Sequence, residues 1–233
     1  MKKDLLNYLV IVALAVGASL TSCNKDDDGE EDVENDISYV TMTTAKIRYV
    51  SILLSGGTVT IDWGDETDTE TYSLPMSTST YKIISHSYAN SNSYFITLTG
   101  DTIIGLQCLN NQLTELDVSK NSKLIDLNCS SNQLKSLDLS KNTKLRGLSC
   151  ILNQLTKLDV SKNIELKYLK CGGNQFTSTA LDSLFETLHN YDVPKYSIYD
   201  DDKKMLYIVN NPGEDACNRS IATEKGWTFT DQW

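Results

Sequence analysis

The side chains of this 233-residue chain best placed to do chemistry are thiols, because four of its six cysteines recur at one fixed step: Cys108, Cys129, Cys150 and Cys171. Thiols can pair as disulfides, ligate a soft metal or attack an electrophile. Neighbouring coils of a parallel stack lie ~4.8 Å apart, which suits the Cα separation of a disulfide. Side chains pointing the same way, however, keep the Cβ atoms too far apart to bridge. A nucleophile needs a base beside it, and the only histidines, His86 and His189, fall in different segments. Asp62, Asp65, Glu66 and Asp68 offer oxygen ligands for calcium, but without the spacing of a calcium loop, so they read as solvated turn acids. No phosphate-binding glycine loop and no metal-ligand spacing is present. The expectation is a non-enzymatic chain with no cofactor and no metal, whose thiols are small apolar fillers. Cys217 has no evident partner.

The element that carries the thiols is a repeat. Each stands in a Leu-x-Cys triplet (Leu106, Leu127, Leu148, Leu169), and each triplet is followed by an asparagine: Asn111, Asn132, Asn153, Asn174. A step of 21 residues held without slippage means stacked coils. One coil reads Leu124-Ile125-Asp126-Leu127-Asn128-Cys129-Ser130-Ser131-Asn132-Gln133-Leu134, and its second half, Leu134 to Leu145, repeats the spacing. This pattern resembles the leucine-rich repeat. Two half-repeats per coil predict two short strands, no helix, and a flattened solenoid with a parallel sheet on each side. Buried amides satisfy backbone groups where a coil turns. The first asparagine ladder is expected at one corner, and Asn121, Asn142 and Asn163 at the other.

Any partner must read the outward positions. Gln107, Asn128, Ser149 and Lys170 form one register, and Leu109, Ser130, Ile151 and Leu152 lie just beyond it. These eight are the candidate partner-binding residues. Leu109, Ile151 and Leu152 break the polar pattern, either as contact residues or as packing against a neighbouring segment. Asp117, Asp138 and Asp159 stack beside Lys120, Lys141 and Lys162 as charge ladders that serve solubility. Four strands offer a face on the order of 200 Å² in plan, against ~800 Å² per partner in a standard interface.

The ends read differently. Lys2 and Lys3 precede an apolar run from Leu5 to Leu20 that stops at Leu20-Thr21-Ser22-Cys23, a signal peptide over 1–22. Its last four residues resemble the lipobox of bacterial lipoproteins, which implies cleavage before Cys23, acyl chains on its thiol, and a membrane held through lipid. The net charge of −10 divides into +1 over 1–22, −7 over 24–36 and −4 over 37–233. Residues 23–36 are therefore a lipidated cysteine and a solvated acidic tether, and no basic patch points to nucleic acid. Acids directly after that cysteine resemble the surface-export signal of Bacteroides-type lipoproteins, which implies the outer membrane and its exterior face.

Residues 37–102 alternate as strands, with Gly56-Gly57 and Gly64 as turns, and predict a small β-sandwich. Ile61-Asp62-Trp63-Gly64-Asp65, then Ser85-His86-Ser87-Tyr88 and the strand from Tyr94, resemble PKD-type modules, in which Gly usually stands where this chain has Glu66. His86 is expected to pack beside that turn. The solenoid spans 103–176, joined without a linker. Residues 177–233 predict an α/β cap: a helix from Thr179, a strand Met205–Val209, and a second helix from Asp215 to Lys225. Tyr191, Tyr196, Tyr199 and Tyr207 form a possible sugar-stacking shelf.

As a whole, the chain is similar to leucine-rich-repeat surface lipoproteins of the Bacteroides type with an N-terminal PKD-like module. The resemblance implies a binding or adhesion protein with an unidentified protein ligand, or a glycan-binding accessory of a polysaccharide-uptake system.

Overall fold

Leucine and cysteine at inward positions and asparagine at the corners drive this chain into stacked coils, and the computed structural model describes them within residues 37–192 and 203–231. The expected signal peptide, Cys23 and the tether, together with Tyr196 and Tyr199, lie outside the described residues. Two sheets are formed. Strands β1 (Ser38–Thr44), β3 (Thr58–Asp62), β4 (Glu70–Ser73), β6 (Phe95–Gly100) and β8 (Leu113–Asp117) make an antiparallel sheet in the order β4-β3-β6-β1-β8. Alternation sets its faces: Ser38, Val40, Met42 and Thr44 of β1 point inward.

The second sheet has eight strands. β2 (Ile47–Gly56), β5 (Lys82–Asn92), β7 (Ile103–Gln107), β9 (Asp126–Asn128), β10 (Gly147–Ser149), β11 (Tyr168–Lys170), β12 (Lys204–Tyr207) and β13 (Trp227–Phe229) run in the order β13-β12-β11-β10-β9-β7-β2-β5. From β7 to β13 all pairings are parallel, with Leu106, Leu127, Leu148, Leu169 and Leu206 in one register. β2 then pairs antiparallel with both β7 and β5. One hydrophobic core runs from Val40 through the coil leucines to Trp227. The mainly β, leucine-rich-repeat-like architecture is therefore present, and strands from 37–102 extend the coils' own sheet.

The four repeat cysteines are wholly buried and unpaired. Burial pushes the Cys129 and Cys171 thiols up to about 12, and Cys108 and Cys150 well above their usual value. They are inert filler. The asparagine ladders stitch the coils together. Asn132 Oδ1 accepts from the Asn111 and Leu113 amides at 3.1 and 2.9 Å, while its Nδ2 donates to the Cys108 and Cys129 carbonyls at 3.0 and 2.9 Å. At the other corner Asn142 Nδ2 donates to the Val118 and Asn121 carbonyls, and Asn163 Nδ2 to those of Leu139 and Asn142.

Two expectations are corrected. The second side of each coil does not form a parallel sheet; only β8 is a strand there, and it pairs antiparallel with β1. The reason is local competition. Asp117, Asp138 and Asp159 accept from the amides of Ser119, Ser140 and Ser161, and corner asparagines take the carbonyls; the first coil has the same bonds and becomes a strand where β1 pairs with it. The Asp residues expected as charge ladders are thus turn caps. The second helix is also broken, into a 3-10 turn (Glu214–Ala216) and a short α2 (Ser220–Thr223). Cys217 is extended between them, and Asn218 Oδ1 caps the amide of Ser220.

The first helix, α1 (Ser178–Thr187), starts where Thr177 accepts from the Ala180 amide, and it buries Leu181, Leu184 and Phe185. Lys225 Nζ donates to the Phe185 and Glu186 carbonyls at the helix end. Lys204, also buried, donates to the carbonyls of Lys225, Tyr191 and His189 at 2.6, 3.3 and 3.5 Å. Near the start of β5, His86 Nε2 lies 2.7 Å from Asp65 Oδ2 and its ring stacks on Trp63. Glu66 has φ 66°, in the left-handed region that favours glycine.

Candidate binding face

Side chains alternate across a strand, so the coils that bury Leu106, Leu127, Leu148 and Leu169 must present the residues on either side of each. Two outward rows result. Gln107, Asn128, Ser149, Lys170 and Tyr207 form one, and Gly105, Asp126, Gly147, Tyr168 and Met205 the other. On β2 the first row continues through Leu53 to Ile83 of β5; the second ends at Ser55, which is fully buried. The face is thus wider than four coils, about seven intervals of ~4.8 Å.

Between β7 and β11 this face dips into an open depression of about 460 Å³, lined chiefly by Gln107, Asp126, Asn128, Ser149, Tyr168 and Lys170. Two glycines and a tyrosine shape it. Tyr81, just before β5, lies against Gly105, where an added Cβ would stand 2.8 Å from its ring, and its hydroxyl donates to Asp126 Oδ2 at 2.7 Å. The other carboxylate oxygen, Oδ1, leans over Gly147, where a Cβ would approach it to 2.5 Å. Asn128 Oδ1 accepts from the Ser130 amide, and the Ser130 and Ser149 hydroxyls share a hydrogen bond of 2.8 Å.

Electrostatically the floor is nearly balanced. Burial raises the Asp126 carboxyl above its ordinary value despite the Tyr81 hydrogen bond and the nearby Lys170. Burial also lowers Lys170, with Asp126 opposing it. Tyr81 is held far above its usual range, first by burial and then by its bond to Asp126. Among the described residues no group of three His, Cys, Asp or Glu side chains converges as a metal site.

Six of the eight residues expected to face a partner (Gln107, Asn128, Ser130, Ser149, Ile151 and Lys170) line this depression. Leu109 and Leu152 lie beside it, 39% and 57% exposed. Leu152 also belongs to a second ladder. The residue before each ladder asparagine is left-handed: Asn110 φ 57°, Ser131 57°, Leu152 53°, Gly173 64° and Asn210 65°. Asp126, Gly147 and Tyr168 are lining residues that attention to Leu-x-Cys alone passes over. Their signal was the same step, two positions earlier.

No family model and no curated protein matches the chain. Among solved structures, the functional domain of InlJ from Listeria monocytogenes, which includes a cysteine ladder, is 29% identical, with a TM-score of 0.40, over 54% of this chain and 24% of its own. An internalin, InlF, from Listeria monocytogenes is 19% identical, with a TM-score of 0.32, over 50% of this chain and 37% of its own. The chain therefore spans about a quarter of the first and little over a third of the second.

Proposed function

We propose that this chain is a non-enzymatic binding protein that holds a protein partner against the outward face of its eight-stranded sheet, anchored on the ledge of Leu109, Ile151 and Leu152. Leu152 carries the reading. A bulky side chain in the left-handed region costs ~1–2 kcal/mol, and adjacent coils fill that position with Asn, Ser and Gly. Burial in the fold does not repay the cost, because the side chain is 57% exposed. It folds over Gly173, where a Cβ would stand 2.7 Å from its Cδ2, and presents the rest of its surface outward. Contact with a partner supplies the missing compensation. The two outward rows, ~13 Å wide over about six intervals of ~4.8 Å, give an area on the order of 400 Å², and the ledge beside them adds toward the ~800 Å² of a standard interface.

In the same reading, residues 1–22 are a signal peptide, Cys23 is lipidated and 24–36 is the tether. Residues 37–102 are a PKD-like module, 103–176 a solenoid of 21-residue leucine-rich repeats, and 177–233 its cap. The molecule sits on the outer membrane, facing the exterior. A second reading, a glycan-binding accessory of a polysaccharide-uptake system, is favoured by the polar depression beside the ledge. The test is capture of surface proteins by the immobilised chain. Capture lost in Ile151→Asp and Leu152→Asp, with both variants melting cooperatively, supports the ledge; capture indifferent to both removes it.

A further inference from the structure

The geometry points to an acidic, extended protein segment as the occupant of the corner strip, its apolar side chains lying along Leu109, Ile151 and Leu152 and its carboxylates meeting Arg48 and Lys46 beside Tyr49. This assignment rests on the reading of that ledge as the anchor of a protein partner, and it names the partner's chemistry and three further residues that select it.

The strip is longer than the ledge. Backbone bonds from Asn110 to Ser130, Ser131 to Ile151, Leu152 to Gly172 and Gly173 to Val209 stack the corners of successive coils. Strand β2 adds one place to this stack, because the Ser51 amide donates to Asn111 Oδ1 at 3.0 Å and Asn111 Nδ2 donates to the Ser51 carbonyl at 2.7 Å. Leu53 pairs with Gln107, so β2 runs from there toward the Leu109 corner with Leu53, Ser51 and Tyr49 on its outward face. Tyr49 is 57% exposed and carries the apolar strip past Leu109, on the side away from Leu152.

A break in strand pairing exposes the cations. From Ile47 to Tyr49 β2 advances two residues, while its partner β5 runs five, from Asn92 to Ser87. Alternation fails there: Ile47 and Val50 are buried, whereas Arg48 and Tyr49 between them both reach solvent. Irregularities of this kind re-aim side chains beside binding sites. Lys46, just before the strand, is exposed as well. Among the described residues neither Lys46 nor Arg48 joins an ion pair or a side-chain hydrogen bond.

Charge along the strip sets the partner's sign and direction. The corner pairs from Leu109-Asn110 to Gly172-Gly173 carry no charge. At the far end Glu214 Oε2 accepts from the Asn210 amide, and its Oε1 is paired with Arg219 at 3.4 Å. Charge at that end is answered within the fold, and the cations beside Tyr49 are not. A basic segment would be repelled there, whereas a carboxylate gains a partner that arginine can hold with two bonds. A uronate sugar brings the same charge, but Leu109, Ile151 and Leu152 are aliphatic and match apolar side chains better than sugar hydroxyls. From Ser51 to Val209 the strip spans five intervals of ~4.8 Å and is one or two residues wide, a length that about seven extended residues cover.

The experiment pans random displayed peptides of about twelve residues, long enough to cover the strip, against the immobilised full chain, then titrates the enriched sequences as free peptides. Oligogalacturonate is titrated in parallel. Enrichment of Asp and Glu together with Leu, Ile and Val is expected, with binding weakened about tenfold or more by Arg48→Glu and by Leu152→Asp, and by a smaller factor by Tyr49→Ala. Lys135→Glu, an exposed position on the second side of the coils, should change it less than about twofold. Panning against the chain with both Lys46→Glu and Arg48→Glu should enrich Lys and Arg instead. Failure to enrich any peptide, enrichment without an excess of acids, or oligogalacturonate binding that needs Arg48 where acidic peptides do not bind overturns the assignment. If enriched peptides need Leu152 but ignore Arg48→Glu and Tyr49→Ala, the acidic partner falls and the ledge stands. If acidic peptides need Arg48 and Tyr49 but ignore Leu152→Asp, the ledge falls and the cationic end stands.

Discussion

Asn211 stands next to Asn174 in the asparagine ladder. Its Oδ1 accepts from the Asn174 and Phe176 amides at 3.1 and 3.3 Å, and its Nδ2 donates to the Cys171 and Ile208 carbonyls at 3.1 and 2.6 Å. Leu206, Ile208 and Asn211 therefore occupy the Leu, Cys and Asn places of a fifth coil. The segment expected only to cap the solenoid continues it.

Removing that amide should be costly. Asn211→Ala leaves two buried amides and two carbonyls without their partner, and a loss of about 2–4 kcal/mol is expected in urea unfolding. If the C-terminal segment were a detachable cap, the loss would stay below about 1 kcal/mol.

Leu152→Asn should move stability and binding in opposite directions. Asparagine accepts φ 53° more readily than leucine, so the variant is expected to gain about 0.5–1 kcal/mol and melt a few degrees higher. Capture of a protein partner should fall. A lower melting temperature would show that the contact over Gly173 outweighs the backbone strain.

Asp126→Asn should reveal a pH-dependent cost. Because burial raises the folded carboxyl, the native state keeps its proton when the unfolded chain, titrating near pH 3.9, has lost it. Native protein then binds more protons than unfolded, so this group's contribution falls as pH rises through that window. Melting temperatures of wild type and Asp126→Asn should coincide near pH 3, with the variant higher at pH 7. Parallel curves across that range would contradict the burial argument.

Thiol labelling separates frame from surface. In Cys23→Ser protein, Cys108, Cys129, Cys150 and Cys171 should react only on unfolding, being wholly buried with raised thiols. Cys217, half-buried with its Sγ 3.1 Å from the Glu214 carbonyl, should react first. Native labelling of a ladder cysteine would mean that the coils open locally.

The frame of this fold was legible because it is periodic: Leu, Cys and Asn return at one step, and each has a single physical task. Residues outside the period were not. Tyr81 reaches Asp126 because β5 pairs with β2 and β2 with β7, a long-range arrangement that no local pattern announces. The fifth coil was hidden because Leu206 follows Leu169 by 37 residues instead of 21, with α1 inserted between and Ile208 in place of cysteine. Asp138 looked like half of a charge ladder because a Lys stands three residues on. Its carboxyl is held below the usual range by the Ser140 amide first, with Lys141 a lesser contributor.

The reversal of strand direction at β2 decides how such a molecule can grow. A further coil added before β7 would meet an antiparallel neighbour and break the register of Leu54 with Leu106, and β13 closes the other end with no leucine triplet to copy. A duplication of one 21-residue unit inside the array, between Leu127 and Leu148, instead meets a coil like itself on both sides. Lengthening by recombination is thus confined to the middle, where each added unit widens the face by ~4.8 Å and leaves both termini as they were.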